Sequence, residues 1–154
     1  MMKPARTLKT QRGVAAVEFG ILLIPLVLLA FGITEYGRAM YQYNALGKSV
    51  RSAARYLSQE SAGDATQIGI AQCLAVYGNT TCNGSPLVPG LTTGMVSVCD
   101  TASCAGTHQN QPTGSGVVNL VTVTISGYAF TSLVPTLLPG FTFDGISATM
   151  RQVI

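Results

Sequence analysis

Residues 11–37 read QRGVAAVEFGILLIPLVLLAFGITEYG, and the fold turns on how this stretch is taken. Between Glu18 and Glu35 lie sixteen residues with no charge, FGILLIPLVLLAFGIT. With Val14–Val17 they make about twenty mostly apolar residues, the length at which a helix crosses roughly 30 Å of hydrocarbon. Lys3, Arg6, Lys9 and Arg12 give the preceding segment a charge of +4, whereas the first base after the span is Arg38. The positive-inside rule then places the amino terminus in the cytoplasm and everything after Tyr36 outside it. A secretory signal peptide shares the basic start, and Ala30-Phe31-Gly32 passes for a small-x-small cleavage site. The apolar stretch is long for a signal peptide, and Glu18 is an odd residue at its entrance. The sequence therefore reads as a single membrane-spanning helix, 14–36.

Glu18 needs a reason to be there. An acid at the centre of a spanning helix costs roughly 2.5–3.5 kcal/mol on insertion scales, less near the interface, and such residues are functional candidates. No base within the span can pair with it. Cleavage after Gly13 would supply a partner by freeing the α-amine of Val14, whose reference pKa of about 7.7–8.0 makes it largely a cation at neutral pH. Glu18 would then be the fifth residue of the new chain. Amine and carboxylate could pair within one subunit or between neighbours in a helical bundle. The competing reading is an uncleaved anchor in which Glu18 snorkels to the headgroups.

Basic leader, Gly13, four small or apolar residues, Glu18, Phe19 and an apolar helix together resemble a type IV prepilin processing site. The closer resemblance is to TadE-like minor pilins, or pseudopilins, of the tight-adherence (Flp) pilus system. It extends through EYGRAMYQYNALGKSVRSAARYL after the span and to the carboxyl-terminal VTVTISGYAFTSLVPTLLPGFTFDGISATMRQVI, leaving residues 59–110 poorly covered. The resemblance implies a prepilin peptidase that cuts between Gly13 and Val14. It implies that Val14 and Glu18 make the assembly contact. The partners it implies are other pilin and minor pilin subunits, the inner-membrane assembly platform and membrane lipid. Flp-type pilins carry Glu-Tyr where this chain has Glu18-Phe19, so the ring is kept and the hydroxyl is lost.

Beyond the span the helical pattern continues to about Ser58. Tyr36, Met40, Tyr43, Gly47, Val50, Ala54 and Leu57 form a seam spaced by threes and fours, expected to lie on the protein's own globular part. Lys48, Arg51 and Arg55 share a neighbouring face that reads as solvated. Pro25 is expected to kink or loosen the helix inside the membrane. Ala65–Tyr77 reads as a second helix, Met95–Cys99 as a strand, and Val117–Ser126 as the main strand, with Val121, Val123 and Ile125 on one side. Pro135 and Pro139 break the segment that follows, and Ile146–Val153 closes as a strand. The expected fold is α+β: a long amino-terminal helix packed beyond the membrane by a small antiparallel sheet. The chain divides into a leader, 1–13; a span, 14–36; a helix continuation, 37–58; and an extracytoplasmic α+β part, 59–154.

Cys73, Cys82, Cys99 and Cys104 all fall in the part placed outside the cytoplasm, where an even count reads as two disulfides. Three pairings are possible, and sequence proximity favours Cys73–Cys82 with Cys99–Cys104. A zinc site would have to draw on these cysteines and His108, at spacings unlike paired CxxC motifs. His108 has no acid near it in sequence and reads as a solvent-exposed loop residue. Asp64, Asp100 and Asp144 read as scattered loop acids. No phosphate-binding glycine loop, nucleophile elbow or catalytic cluster is present, so no catalytic residue and no cofactor are assigned. After the leader, five bases face six acids, which argues against a nucleic-acid partner. Two functions remain: a processed pilus subunit supporting adhesion and biofilm formation, or an uncleaved single-span envelope protein with an extracytoplasmic binding domain. A periplasmic enzyme released by signal peptidase is a distant third. The first residue of the mature protein separates them: Val14, Met1 or Met2, or one near Ile33.

Overall fold

The computed structural model describes residues 12–135 and 138–153. The basic leader expected over 1–13 lies outside the described residues except for its last two positions. One helix, α1, runs unbroken from Arg12 to Leu57 and passes through Pro25. Its first half stands clear of the rest of the molecule, with every residue from Gly13 to Phe31 exposed. Its second half is the floor of a small α+β body.

Helix α2, Ala65–Tyr77, begins where Asp64 accepts the backbone N–H of Thr66 (2.8 Å) and Gln67 (3.4 Å), satisfying donors that a helix start leaves free. It ends at Gly78, which takes the left-handed conformation (φ 72°) and donates its N–H to the Leu74 carbonyl, as a glycine stop does. A 3-10 turn at Thr93–Met95 leads into β1, Val96–Cys99. A single helical turn, α3 (Ala105–His108), and a two-residue strand, β2 (Gln111–Pro112), occupy what reads in the sequence as plain loop. Strand β3, Val117–Ile125, is the centre of the sheet, with Val121, Val123 and Ile125 buried. It pairs antiparallel with β1, β2 and β6 (Ile146–Gln152). Because β1 and β6 both pair with Thr122–Ile125, they lie on opposite edges of β3.

The sequence also allows the main strand to run on to Phe130, but the structure does not continue it. Gly127 (φ 70°) breaks it, and Tyr128–Phe130 forms a separate strand, β4, paired with β5, Phe141–Phe143. The prolines interrupt only the connection of this hairpin. Its rings stack on one another and on the long helix: Phe130 and Phe141 lie 5.1 Å apart, and Tyr43 and Phe143 5.5 Å apart. The core joins Leu46, Val50, Ala53, Ala54 and Leu57 of α1 to Ala71, Ala75 and Val76 of α2 and to the inner face of β3. Small residues on both helices let the backbones approach closely.

The seam expected on α1 is correct at its far end and displaced at its near end. Val50, Ala54 and Leu57 are buried, but Tyr36, Met40 and Tyr43 are exposed. The stripe that meets the domain is Glu35, Ala39, Gln42, Leu46, Ser49 and Ala53, one residue earlier and rotated by about 100°. Polar side chains at three of these positions find partners, so apolarity alone points to the wrong face. Lys48, Arg51 and Arg55 face solvent.

Candidate functional site, the bare helix and its junction with the domain

The exposed half of α1 is the unusual surface. Val14, Val17, Phe19, Ile21, Leu22, Ile24, Leu26, Leu29 and Ile33 project without cover from the chain itself. A soluble protein rarely leaves a contiguous apolar surface of this size in water. Gly13, Val14, Glu18 and Phe19 all lie on this bare segment, so the structure places the whole expected processing region clear of the domain. Glu18 is exposed, and the one ion pair among the described residues is elsewhere, between Arg38 and Glu35. Val14 and Glu18 are one helical turn apart, about 6 Å along the axis.

The domain first grips α1 at Glu35, twenty-one residues after Val14, or about 31 Å along the axis. Glu35 is only 2% exposed. Its Oε2 accepts the Arg38 guanidinium at 3.0 Å and the Leu133 N–H at 3.1 Å. Arg38 also donates to the Thr131 carbonyl at 2.5 Å and lies over the Phe130 ring, 4.8 Å from its centre. One turn further on, the Tyr128 hydroxyl lies 3.1 Å from Gln42 Oε1 and 2.9 Å from the Pro89 carbonyl. Burial raises the pKa of that hydroxyl, and the Arg38 charge offsets part of the rise. The contacts of α1 with the segment 128–133 were not legible in the sequence, because those partners lie over eighty residues apart.

Two disulfides close the loops on the far side: Cys73–Cys82, with Cα atoms 4.7 Å apart, and Cys99–Cys104, at 5.5 Å. Cys99 and Cys104 sit beside His108 in a cluster with metal-ligand composition. Their sulfurs are bonded to each other and offer no thiolates to a metal. His108 is not the free loop residue expected: it is half-buried, with Nδ1 2.8 Å from Thr107 Oγ1 and Nε2 2.8 Å from Thr122 Oγ1. Thr122 in turn meets Thr149 across the sheet at 2.8 Å, so the imidazole pins α3 to β3.

Asp100 likewise departs from the loop-acid expectation. It is 3% exposed. Its Oδ1 accepts from Ala102 N–H, Ser103 N–H and Ser103 Oγ, and its Oδ2 from Gly63 N–H at 2.7 Å. Burial pushes this carboxyl up, but the surrounding donors outweigh it and hold the pKa below the ordinary value. An Asp followed three residues later by Ser is a turn signature, and could have flagged Asp100 as a loop organiser. Asp64 caps α2, as its place before a helical run would suggest. An open groove of about 500 Å³ lies between α1 and β6, lined by Tyr43, Asn44, Gly47, Arg51 and Ser147 among others. It carries one cation and no acid, base or thiol that could act with it.

Residues 13–55 match the family model described as TadE-like protein. The likeness to that family is confined to the long helix. No curated protein and no solved structure matched it. The match begins on Gly13, covers the bare apolar segment and ends just before the close of α1. The matched segment lies within the one helix among the described residues that is long and apolar enough to cross a membrane.

Proposed function

We propose that the chain is a processed minor pilin, or pseudopilin, that takes part in assembling a tight-adherence pilus and so supports surface adhesion and biofilm formation. The observation that carries this reading is the division of α1. A helix of spanning length is left bare, while the remainder is built into a disulfide-closed α+β body. A subunit that must pass from a bilayer into a helical bundle needs such a helix, because the same apolar surface is solvated by lipid before assembly and by neighbouring helices afterwards.

In this reading prepilin peptidase cuts between Gly13 and Val14 on the cytoplasmic face of the inner membrane, and the body faces the periplasm. The freed Val14 amine and Glu18 lie one turn apart on a surface that no part of the domain covers. The pair is available to a neighbouring subunit offset along the bundle. Its value lies in fixing register, since the Coulomb gain of a buried pair is largely offset by desolvation. Other pilin subunits and the inner-membrane platform are the partners.

The test is the amino-terminal residue of the protein recovered from cells that hold the peptidase. Val14 is the expected result. The leader is thirteen of 154 residues in a 16.0 kDa chain, so replacing Gly13 by a bulky residue should leave a form about 1.4 kDa heavier. Recovery of Met1 or Met2 at the amino terminus of wild type would favour the uncleaved envelope protein instead.

A further inference from the structure

The turn that follows β4, Thr131–Pro135, lies against the end of the bare segment of α1. Strand β4 descends along α1 toward the bare segment. Tyr128 meets Gln42, Phe130 lies under Arg38, and Leu133 bonds to Glu35. The Glu35 contact fixes the depth of Leu133. If Val14 lies at one hydrocarbon boundary, Glu35, about 31 Å further along, lies at the other. Yet Leu133 is 74% exposed. The sequence from Thr131 to Phe143 has no charged residue, and Phe141, on the returning strand, is also exposed. An uncharged turn with a projecting leucine, bonded to the last turn of a membrane span, has lipid as its nearest neighbour.

We propose that the Thr131–Pro135 turn is a second membrane contact, with Leu133 entering the leaflet on the domain's side of the bilayer. The Glu35–Arg38 pair is the latch that holds it at that depth. Arg38 does this with both interactions at once, bonding Glu35 on its own helix and the Thr131 carbonyl on the turn. The contact rests on the membrane-spanning reading of α1. It limits how far the domain can tilt on a single helix, so that the body leaves the membrane in one orientation when the subunit is drawn into an assembly.

The chain contains no tryptophan, so a single introduced indole reports its own surroundings. Three full-length variants in lipid nanodiscs holding one copy each make the test. Leu133→Trp probes the turn. Leu26→Trp probes the middle of the span. Val153→Trp replaces a side chain of equal exposure (75%) whose N–H bonds to Ser58, about 35 Å beyond Glu35 along the helix direction. For Leu133→Trp the expected result is a blue-shifted emission, quenching by lipids brominated near the headgroup and protection from aqueous acrylamide. Val153→Trp should show none of these. Leu133→Trp behaving like Val153→Trp, while Leu26→Trp is quenched by deeply brominated lipid, would overturn the contact and leave the span intact. Protection from acrylamide without bromine quenching would overturn it in favour of protein cover. Absence of lipid quenching at Leu26 as well would overturn the span, and the contact with it. Arg38→Gln supplies the second arm: with the latch cut, lipid quenching at Leu133→Trp should fall.

Discussion

Asp100→Asn isolates one hydrogen bond in the fold. The carboxylate holds two loops together, its Oδ1 ordering the turn of the Cys99–Cys104 disulfide and its Oδ2 reaching Gly63 across 37 residues. Asparagine is the same size but has only one acceptor oxygen. If that oxygen keeps the three Oδ1 contacts, the amide nitrogen faces the Gly63 N–H and two donors oppose each other. If the amide is turned over, the Gly63 bond survives and the turn loses its acceptor instead. At least one part-buried N–H loses its carboxylate acceptor either way, and a hydrogen bond to a charged group is worth about 1.5–3 kcal/mol. For the globular part this lowers Tm by roughly 5–15 °C. Asp100→Ala removes every contact and should cost more. Its effect should stay below the sum of separate bonds, because three converge on one oxygen and such neighbours do not add.

The same residue gives a pH dependence whose sign is fixed. Its folded pKa lies below the ordinary 3.8, so the unfolded chain takes up a proton first as pH falls. The stabilisation is complete above that ordinary value and is lost as pH drops through the folded value. Asp100→Asn cannot titrate, so the gap between wild type and variant should be widest at neutral pH and close in acid. Near-UV circular dichroism of the detergent-solubilised full chain follows the tyrosines, all of which but Tyr36 lie outside the span 14–36. Equal Tm values at pH 7 would refute the argument from unpaired donors. A gap unchanged in strong acid would refute the argument from the charge.

Other substitutions probe other joints. Glu18→Gln and Glu18→Ala should both insert and be cleaved normally but fail to support piliation; normal piliation at normal membrane abundance would make Glu18 a tolerated interfacial residue. Tyr128→Phe leaves the buried Gln42 amide without its hydroxyl partner and should cost about 1–2 kcal/mol in thermal unfolding, with no effect on processing. Replacing both Cys73 and Cys82 by alanine opens a loop of sequence separation 9 and should cost about 2–3 kcal/mol by the chain-entropy estimate; a denaturant midpoint equal to wild type would contradict it. Mass spectrometry of the unreduced mature protein should detect no alkylatable thiol.

Features carried by local pattern were legible in the sequence. The apolar run, the helix at Ala65–Tyr77 and the alternation of Val121, Val123 and Ile125 each depend on residues within a few positions of one another. What was hidden depends on partners distant in the chain. Alternating aromatics in Phe141-Thr142-Phe143 are a strand signal, but Pro135 and Pro139 obscured it. The prolines only interrupt the hairpin's connection, where no ladder hydrogen bond is lost.

The displaced seam on α1 shows most about the candidate site. Hydrophobic spacing selects Tyr36, Met40 and Tyr43, and in most helices beside a sheet that choice would be right. Here the buried positions are Glu35, Gln42 and Ser49, each paid for by a bond that the helix sequence cannot reveal: Leu133 N–H and Arg38 for Glu35, Tyr128 for Gln42, the Leu46 carbonyl for Ser49. Tyr36 is turned outward beside the end of the bare segment, where tyrosine would suit a boundary between lipid and water, while Tyr43, half exposed, lies against Phe143. A helix that must serve two solvents cannot show one apolar stripe from end to end. Its lipid half is apolar all round, and its domain half carries a polar-studded stripe whose first member, Glu35, sits where the two meet. On the proposed membrane reading, the failure of periodicity at Tyr36 and the Glu35–Leu133 bond fall at the same level of α1, where the bare segment meets the domain. If that boundary lay further along α1, at Tyr43 for instance, Glu35 and the Thr131–Pro135 turn would be immersed in hydrocarbon, a cost of roughly 2.5–3.5 kcal/mol for the acid at the core of the bilayer. Glu35 is therefore the residue that sets where the domain must begin.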